Sequence, residues 1–178
     1  MYEFLGIYIK TLDDGGFQFF QTGFIRKFLE ATGMEHCDGF PTTTKVEALL
    51  RTYTNGSEAK RDWHRSYAYV IGMILYLASN TRPDIPFSIH QCARFTYNTK
   101  ASHETAVKMI CRYLQDTKDN VLVFNTSKIF VVDCYADAYF SGLWVHEDPP
   151  DPICARTRTV FVVIFANFPL LWLSKLNT

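Results

Sequence analysis

The first part of the chain has the pattern of a hairpin followed by a helix. Apolar and polar residues alternate from residue 4 to residue 9, an Asp-Asp-Gly-Gly run stands at residues 13–16, and apolar alternation resumes at Phe17. Alternation on both sides of a turn sequence predicts a β-hairpin. Over residues 22–33 the apolar spacing becomes that of one helix face, and Gly33 can end this helix in the left-handed conformation.

The middle of the chain carries the 3.6-residue spacing of three further amphipathic helices. The first ends near Asn80, the second covers about residues 83–95, and the third covers about residues 102–115 with Ser102 as its N-cap. Residues 38–56, before these helices, contain threonine, glycine and proline without a sustained period. We expect that segment to be a long surface loop.

The last third of the chain has the composition of a β-sheet. Residues 121–124 and 129–134 are β-branched or aromatic runs, and residues 159–165 and 170–173 have the pattern of a second hairpin. Residues 146–152 contain three prolines and three acids, which predicts a loop. This order of elements predicts an α+β fold.

Composition limits the choice of partners and compartments. The 178 residues are 48% hydrophobic, which is enough for a folded core, and the 18 basic residues equal the 18 acidic ones, so overall charge does not favour nucleic acid or an anionic membrane. The five cysteines have no CxxC pair and no histidine at zinc-site spacing, which indicates a reducing intracellular compartment, cytoplasm or nucleus. The most apolar run, residues 68–78, is too short to span a membrane.

Several short strings occur in the order known from one family. They are Phe-Leu-Gly-Ile at residues 4–7, Thr-Arg-Pro-Asp-Ile at 81–85, Tyr-Ala-Asp-Ala at 135–138 and Trp-Leu-Ser-Lys at 172–175. Over nearly the whole chain, this colinear set resembles the copia-type reverse transcriptase of retrotransposon Pol polyproteins.

The resemblance implies three segments. Residues 1–21 would be a residual palm hairpin, residues 22–118 a helical bundle like the thumb or connection region, and residues 119–178 a truncated RNase H-like sheet. In the family, the paired aspartates of the polymerase lie upstream of the Phe-Leu-Gly-Ile strand, and the later RNase H carboxylates follow the Trp-x-Ser-Lys strand. We therefore expect a fragment that has no complete catalytic set of its own.

Asp137 is the one residue that matches a catalytic position of the family, a metal-binding carboxylate of RNase H. The alternative is an aspartate that simply faces water. The second acid of this string in the family is replaced by Tyr139. Because Mg²⁺, which the family uses, needs several oxygen ligands, we expect no metal or other cofactor to be bound by this chain alone.

By the same resemblance, Gly72 and Tyr76 lie one turn apart on the thumb helix that follows the minor groove of the template-primer. Glycine lets the backbone approach a sugar edge, whereas the alternative is ordinary packing of Gly72 against a helix and of Tyr76 in the core. Lys108, Arg112 and Lys118 could contact phosphates or could simply form a solvated helix face.

Three other features are expected to be mainly structural. Arg82 and Asp84 flank a proline at a helix bend and are predicted to fix the turn, either as an ion pair or as a cap. His103 is predicted to pack at a helix start. By resemblance residues 4–7 lie near the primer terminus, and the alternative is a plain hairpin strand.

The expected function is residual binding of an RNA/DNA template-primer duplex. The expected protein partner is the rest of the Pol polyprotein, and no membrane is expected to be bound. The alternative is a non-catalytic relic or a domesticated protein-interaction module. A basic stripe beside Gly72 and Tyr76 favours duplex binding, and mixed charge favours the alternative.

Overall fold

The computed structural model describes residues 1–43, 61–125, 131–139 and 157–177, with the side chains of 61–65, 139 and 176 excepted. The predicted loop at residues 146–152, and residues 44–56 of the loop predicted at 38–56, lie outside the described residues.

The first sheet has four antiparallel strands in chain order, β1 (Tyr2–Phe4), β2 (Ile7–Thr11), β3 (Phe17–Phe20) and β4 (Leu122–Phe124). The sequence predicted only the hairpin that β2 and β3 form. An extra strand exists because Leu5 and Gly6 make a two-residue turn, with φ of 51° and 75°, which folds β1 back onto β2.

Strand β4 belongs to the first sheet, although its position in the sequence suggests the second. It falls in the β-rich last third, yet Phe124 pairs with Phe17 of β3. Long-range pairing of this kind depends on how the intervening helices return the chain, which local patterns do not report.

Helix α1 (Thr22–Ala31) ends as the sequence predicts. Gly33 has φ of 66°, its N–H donates to the Glu30 carbonyl at 3.0 Å, and the Met34 N–H donates to the Leu29 carbonyl at 2.8 Å. These two bonds form a Schellman motif, which satisfies carbonyls that the last helical turn leaves open.

The three further helices are α2 (Arg61–Asn80), α3 (Pro86–Ala93) and α4 (Ala101–Asp116). Helix α3 begins three residues later than predicted, with Pro86 in its first turn, where no amide is needed. Helix α4 is capped at Lys100 rather than at Ser102.

The core lies among the four helices. The fully buried core residues recur at helical spacing along each helix. They include Phe28, Tyr67, Ile74, Ile89 and Ile110. Among the described residues, no helix is apolar enough over sufficient length to cross a bilayer.

The second sheet has three antiparallel strands, β5 (Val132–Tyr139), β6 (Arg158–Phe165) and β7 (Phe168–Leu176). The predicted hairpin between β6 and β7 is confirmed. Its turn consists of Ala166 and Asn167, both with positive φ, at 48° and 64°.

A few side chains attach this sheet to the rest of the molecule. The indole N–H of Trp172 donates to the Ala78 carbonyl at 2.6 Å, and the buried Arg158 guanidinium lies 4.9 Å above the Phe87 ring. Helices together with two antiparallel sheets make a mixed α and β structure. Its description as palm, thumb and RNase H-like parts stays a prediction.

Candidate nucleic-acid interface

Gly72 lies in the middle of α2 and is exposed to solvent. Apart from its chain neighbours and the adjacent backbone of α2, no described residue places a heavy atom within 4 Å of the position that a Cβ on Gly72 would take. The alternative that Gly72 admits a neighbouring helix is therefore not supported. Among the described residues, none covers the backbone at this point.

Tyr76 is partly buried, one turn after Gly72, and it is not a core residue. Its ring packs against Phe24 of α1 with 5.3 Å between ring centroids, and its hydroxyl donates a hydrogen bond to the Leu5 carbonyl. The contact joins α2 to the turn between β1 and β2.

Gly72 and Tyr76 lie on one open groove of about 680 Å³. Its walls are formed by the β1–β2 turn, α1 and α2, through Leu5, Gly6, Phe24, Tyr69, Gly72, Met73 and Tyr76. Among the described side chains, this lining contains no lysine or arginine and no acid, and it forms an apolar, aromatic surface. The side chains of Arg61 and Arg65, which precede Tyr69 on α2, lie outside the described residues, and the charge pattern beside Gly72 and Tyr76 stays a prediction.

A narrower cleft of about 320 Å³ continues from Gly72 and Tyr76 towards the second sheet, where Trp172 forms part of its wall. His90 of α3 also lines this cleft. Burial lowers the pKa of His90, and the nearby charges of Arg158 and Lys175 lower it further. Sequence reasoning used Trp172 only as a family match and did not identify His90, which has no distinguishing motif around it.

The three basic residues predicted to contact phosphates have partners within the chain. Lys108 binds Glu104, one turn earlier on α4. The Arg112 Nε donates to the Asp38 carbonyl at 2.8 Å, and the Lys118 ammonium donates to the Gln115 carbonyl at 3.2 Å. Their role in binding phosphate stays a prediction.

The Arg82–Asp84 ion pair predicted at the helix bend is confirmed. Arg82 is only 3% exposed, and its Nη2 lies 2.6 Å from Asp84 Oδ2 and 2.7 Å from Thr117 Oγ1. Asp84 also accepts a 2.7 Å hydrogen bond from the Tyr113 hydroxyl. The four residues clamp the α2–α3 turn to the end of α4.

The clamp determines the protonation of its members. Burial alone would raise the pKa of Asp84, but hydrogen bonds and charge from Arg82, with the hydrogen bond from Tyr113, outweigh it and lower that pKa. Burial and the Asp84 carboxylate raise the pKa of Tyr113. Asp84 is therefore an ionised structural group and not a proton donor at neutral pH.

His103 packs at the start of α4, as predicted. It is fully buried, it stacks on Phe95 with 3.9 Å between ring centroids, and its Nδ1 accepts the Lys100 N–H at 3.0 Å. Burial, with a smaller contribution from the Lys100 charge, lowers the pKa of His103 to about 4. The ring is neutral, and Nδ1 is its acceptor nitrogen.

Asp137 lies on β5, exposed, and pairs with Val160 of β6. Asp133 is on the same face of the strand, but four residues of extended chain separate the two carboxylates by about 13 Å, too far to share an ion. The residues that the structure describes contain no group of three His, Cys, Asp or Glu side chains that could hold a metal ion. Together they do not fit the Mg²⁺ site of the family, and no metal-dependent step follows from them.

The chain is similar to three curated Pol polyproteins. It is 26% identical over 175 residues to the retrovirus-related Pol polyprotein from transposon RE1 of Arabidopsis thaliana, and 24% identical over 175 residues to that from transposon RE2. Each alignment covers 98% of this chain and 11% of the relative. It is 31% identical over 111 residues, 62% of this chain, to the corresponding polyprotein from transposon TNT 1-94 of Nicotiana tabacum, of which this covers 8%.

No protein-family model matches the chain, and no solved structure matches it. The chain spans about a tenth of the length of each of these three polyproteins. Because the alignments to the RE1 and RE2 polyproteins cover nearly the whole chain, we identify it as a relative, at modest identity, of the copia-type retrotransposon Pol polyproteins.

Proposed function

We propose that the chain is the part of a retrotransposon Pol polyprotein where the reverse transcriptase ends and the RNase H begins, and that it binds the RNA/DNA template-primer along the groove beside Gly72. Strands β1 to β3 then derive from the palm, the four helices form a thumb-like or connection-like bundle, and the residues from 119 onward, including β5 to β7, form an incomplete RNase H-like sheet. The single observation that carries the binding proposal is the open backbone at Gly72.

A glycine inside a helix costs about 0.5 to 1 kcal/mol relative to alanine. Packing inside the described part of the chain does not explain why residue 72 is a glycine, because the space that a Cβ would fill is empty. Close approach of a ligand does explain the glycine, since only glycine lets a helix backbone contact a sugar edge.

The lining of the groove suits recognition by shape. A-form duplexes present a wide, shallow minor groove in which 2′-hydroxyls and sugar edges are accessible. Tyr69, Met73 and Tyr76 provide flat or adaptable apolar contacts on either side of Gly72. Duplex geometry, rather than base sequence, is what such a surface can read.

Charge contributes little among the described side chains of the groove. That part of the lining contains no basic residue, and Lys108, Arg112 and Lys118 already bind groups of the chain. We therefore expect a shallow salt dependence, equivalent to fewer than about three phosphate contacts.

The proposal does not extend to catalysis by this chain. The polymerase aspartates of the family have no match in it, and Asp137 stands without a second nearby carboxylate among the described residues. Chemistry would require the rest of the polyprotein.

The test is titration of a labelled RNA/DNA hybrid with the purified chain across a salt series. Gly72→Asp places a carboxylate in the groove without a steric clash with the described residues. Thr105→Asp, on an exposed position of α4 outside the groove, is the matched control. We expect Gly72→Asp to weaken binding at least tenfold and Thr105→Asp to leave it within twofold, because only the former opposes the duplex.

The contribution of phosphate contacts is measured best with Lys118→Ala. Replacement of Arg112 would also release the segment at residues 38–40, which Arg112 holds through the Asp38 carbonyl and the Phe40 ring. Replacement of Lys108 would leave the buried Glu104 without its cation. A folded parent chain that binds no hybrid at low salt would refute duplex binding.

A second candidate is a protein-interaction module, the alternative raised by the sequence. The apolar, uncharged lining of the groove favours it, since such a surface also suits an apolar peptide segment. Absence of hybrid binding, combined with binding of a hydrophobic dye that Gly72→Asp abolishes, would favour this candidate over the first.

A further inference from the structure

The turn between β1 and β2 forms part of the groove and contains a leucine in an unfavourable backbone conformation. Leu5 and Gly6 close the hairpin between Phe4 and Ile7, and both have positive φ, at 51° and 75°. Leucine in this region carries a steric cost that glycine or asparagine avoids. Because 71% of Leu5 is exposed, burial of its side chain does not offset that cost.

Tyr76 of α2 supplies the contact that holds this turn. Its hydroxyl donates to the Leu5 carbonyl, and its ring lies against Phe24. Gly6 lies next to the Phe24 ring, since a Cβ placed on Gly6 would be 3.8 Å from Phe24 Cδ2. The turn is therefore joined to the helices at two points.

We infer that Tyr76 is a positioning residue, which fixes the β1–β2 turn as a wall of the groove and thereby sets the width of the groove at Gly72. The inference rests on the proposed function only in taking an RNA/DNA duplex as the ligand. The Tyr76 hydroxyl faces Leu5 rather than the open space, so it acts on the ligand through the turn.

Tyr76→Phe tests the role directly, because it removes the hydroxyl and keeps the ring. Tyr97→Phe is the matched control, the same chemical change on a side chain that is 99% exposed and lies outside the groove. The full chain is used, with two readouts: amide hydrogen exchange over residues 1–11 and affinity for a labelled RNA/DNA hybrid. Tyr76→Phe should accelerate exchange in that segment and weaken binding about fivefold, the effect of one lost hydrogen bond. Tyr97→Phe should change neither.

A rescue variant separates positioning from general loss of packing. Asparagine adopts positive φ readily, and Asn-Gly is a favoured two-residue hairpin turn. Leu5→Asn in the Tyr76→Phe background should therefore restore slow exchange, because the turn then no longer requires an external hydrogen bond. Exchange alone is compared for this variant, since Leu5 itself lines the groove. A change at Leu5 would not repair a defect in the packing of α2.

The outcomes separate this inference from the proposed function. If the parent binds the hybrid and Tyr76→Phe matches it in both exchange and affinity, the positioning role is overturned and duplex binding stands. If the parent binds no hybrid, duplex binding is overturned. The exchange data then decide the positioning role: faster exchange repaired by Leu5→Asn supports it, and unchanged exchange overturns it.

Discussion

The helical layer, α1 to α4, and strand β5 of the second sheet place their charged residues differently. In the helical layer, the buried Arg82 is paired with Asp84 and Thr117. On β5, residues 132–138 are exposed, and the acids Asp133 and Asp137 face solvent. The charged groups that hold the helices together are already committed, and the acids available in the sheet stand too far apart for metal chemistry.

This difference indicates where a ligand can bind. The helical layer offers shape, through the exposed backbone at Gly72 and a groove whose described lining is apolar. The second sheet offers carboxylates, but no metal-binding group of three within the described residues. Recognition by shape in the helical layer is therefore the function that the arrangement supports best.

The largest expected effect comes from breaking the clamp in the helical layer. Arg82→Ala leaves Asp84 two-thirds buried without its cation, and we expect a loss of about 3 to 4 kcal/mol in the free energy of unfolding. Urea denaturation of the full chain measures it. Arg26→Ala is the control, since Arg26 is exposed and 3.9 Å from an equally exposed Asp119, and it should cost less than about 0.5 kcal/mol. A loss below about 1 kcal/mol for Arg82→Ala would show that the clamp is not a main support.

Acidification tests the same layer through His103. Its pKa in the folded chain is about 4, below the ordinary 6.5, so between these pH values the unfolded state takes up a proton that the folded state does not. Stability is therefore lost as pH falls from about 6.5 to about 4, by up to about 3 kcal/mol. The lowered pKa of Asp84 adds a further loss at lower pH, as that carboxylate becomes protonated.

His103→Gln identifies the source of that pH dependence. Glutamine at this helix position can still accept the Lys100 N–H, as in a capping box, but it does not titrate. The variant should unfold with a much flatter pH dependence over this range. An unchanged slope would assign the effect to other groups.

A smaller effect is expected where the second sheet meets the helices. Trp172→Phe keeps an aromatic ring but removes the N–H that binds the Ala78 carbonyl, and we expect a loss of about 1 to 2 kcal/mol. Amide exchange should rise mainly in β6 and β7. Leu170→Ala, an exposed position on the same strand, should leave exchange unchanged. Equal acceleration in all four helices would contradict a local attachment.

The smallest effect contrasts two residues with positive φ. At the end of α1, Gly33 has φ of 66°, which glycine adopts without strain. In the β6–β7 turn, Ala166 has φ of 48°, which costs alanine backbone strain. Ala166→Gly should stabilise the chain by about 0.5 to 1 kcal/mol, and Gly33→Ala should destabilise it by about 1 kcal/mol. Thermal unfolding of both variants checks the signs, and a destabilised Ala166→Gly would show that burial of the methyl group matters more than its backbone cost.

Local patterns predicted those elements that depend on local sequence. Helical spacing located α1, α2 and α4, alternation located the β2–β3 hairpin, and β-branched and aromatic runs located the β6–β7 hairpin. The β1–β2 turn was missed because Leu5 is not a residue type that signals positive φ. The start of α3 was placed too early because the prolines fit a first helical turn in more than one position.

The candidate site was predicted only in part. The resemblance pointed to Gly72 and Tyr76, and the structure adds that Gly72 is open and that Tyr76 binds the Leu5 carbonyl, 71 residues away. Trp172 binds a carbonyl 94 residues away. Contacts between residues so far apart in the sequence depend on the tertiary fold, and no short sequence motif predicts them.

The most direct test of duplex binding is an NMR titration of the isotopically labelled chain with a short RNA/DNA hybrid of about 12 base pairs, long enough for one turn of the duplex. The account predicts that shifts concentrate at Gly6, Gly72, Met73 and Tyr76, around the groove. Shifts confined to β5, or the absence of any shift at low salt, would contradict it.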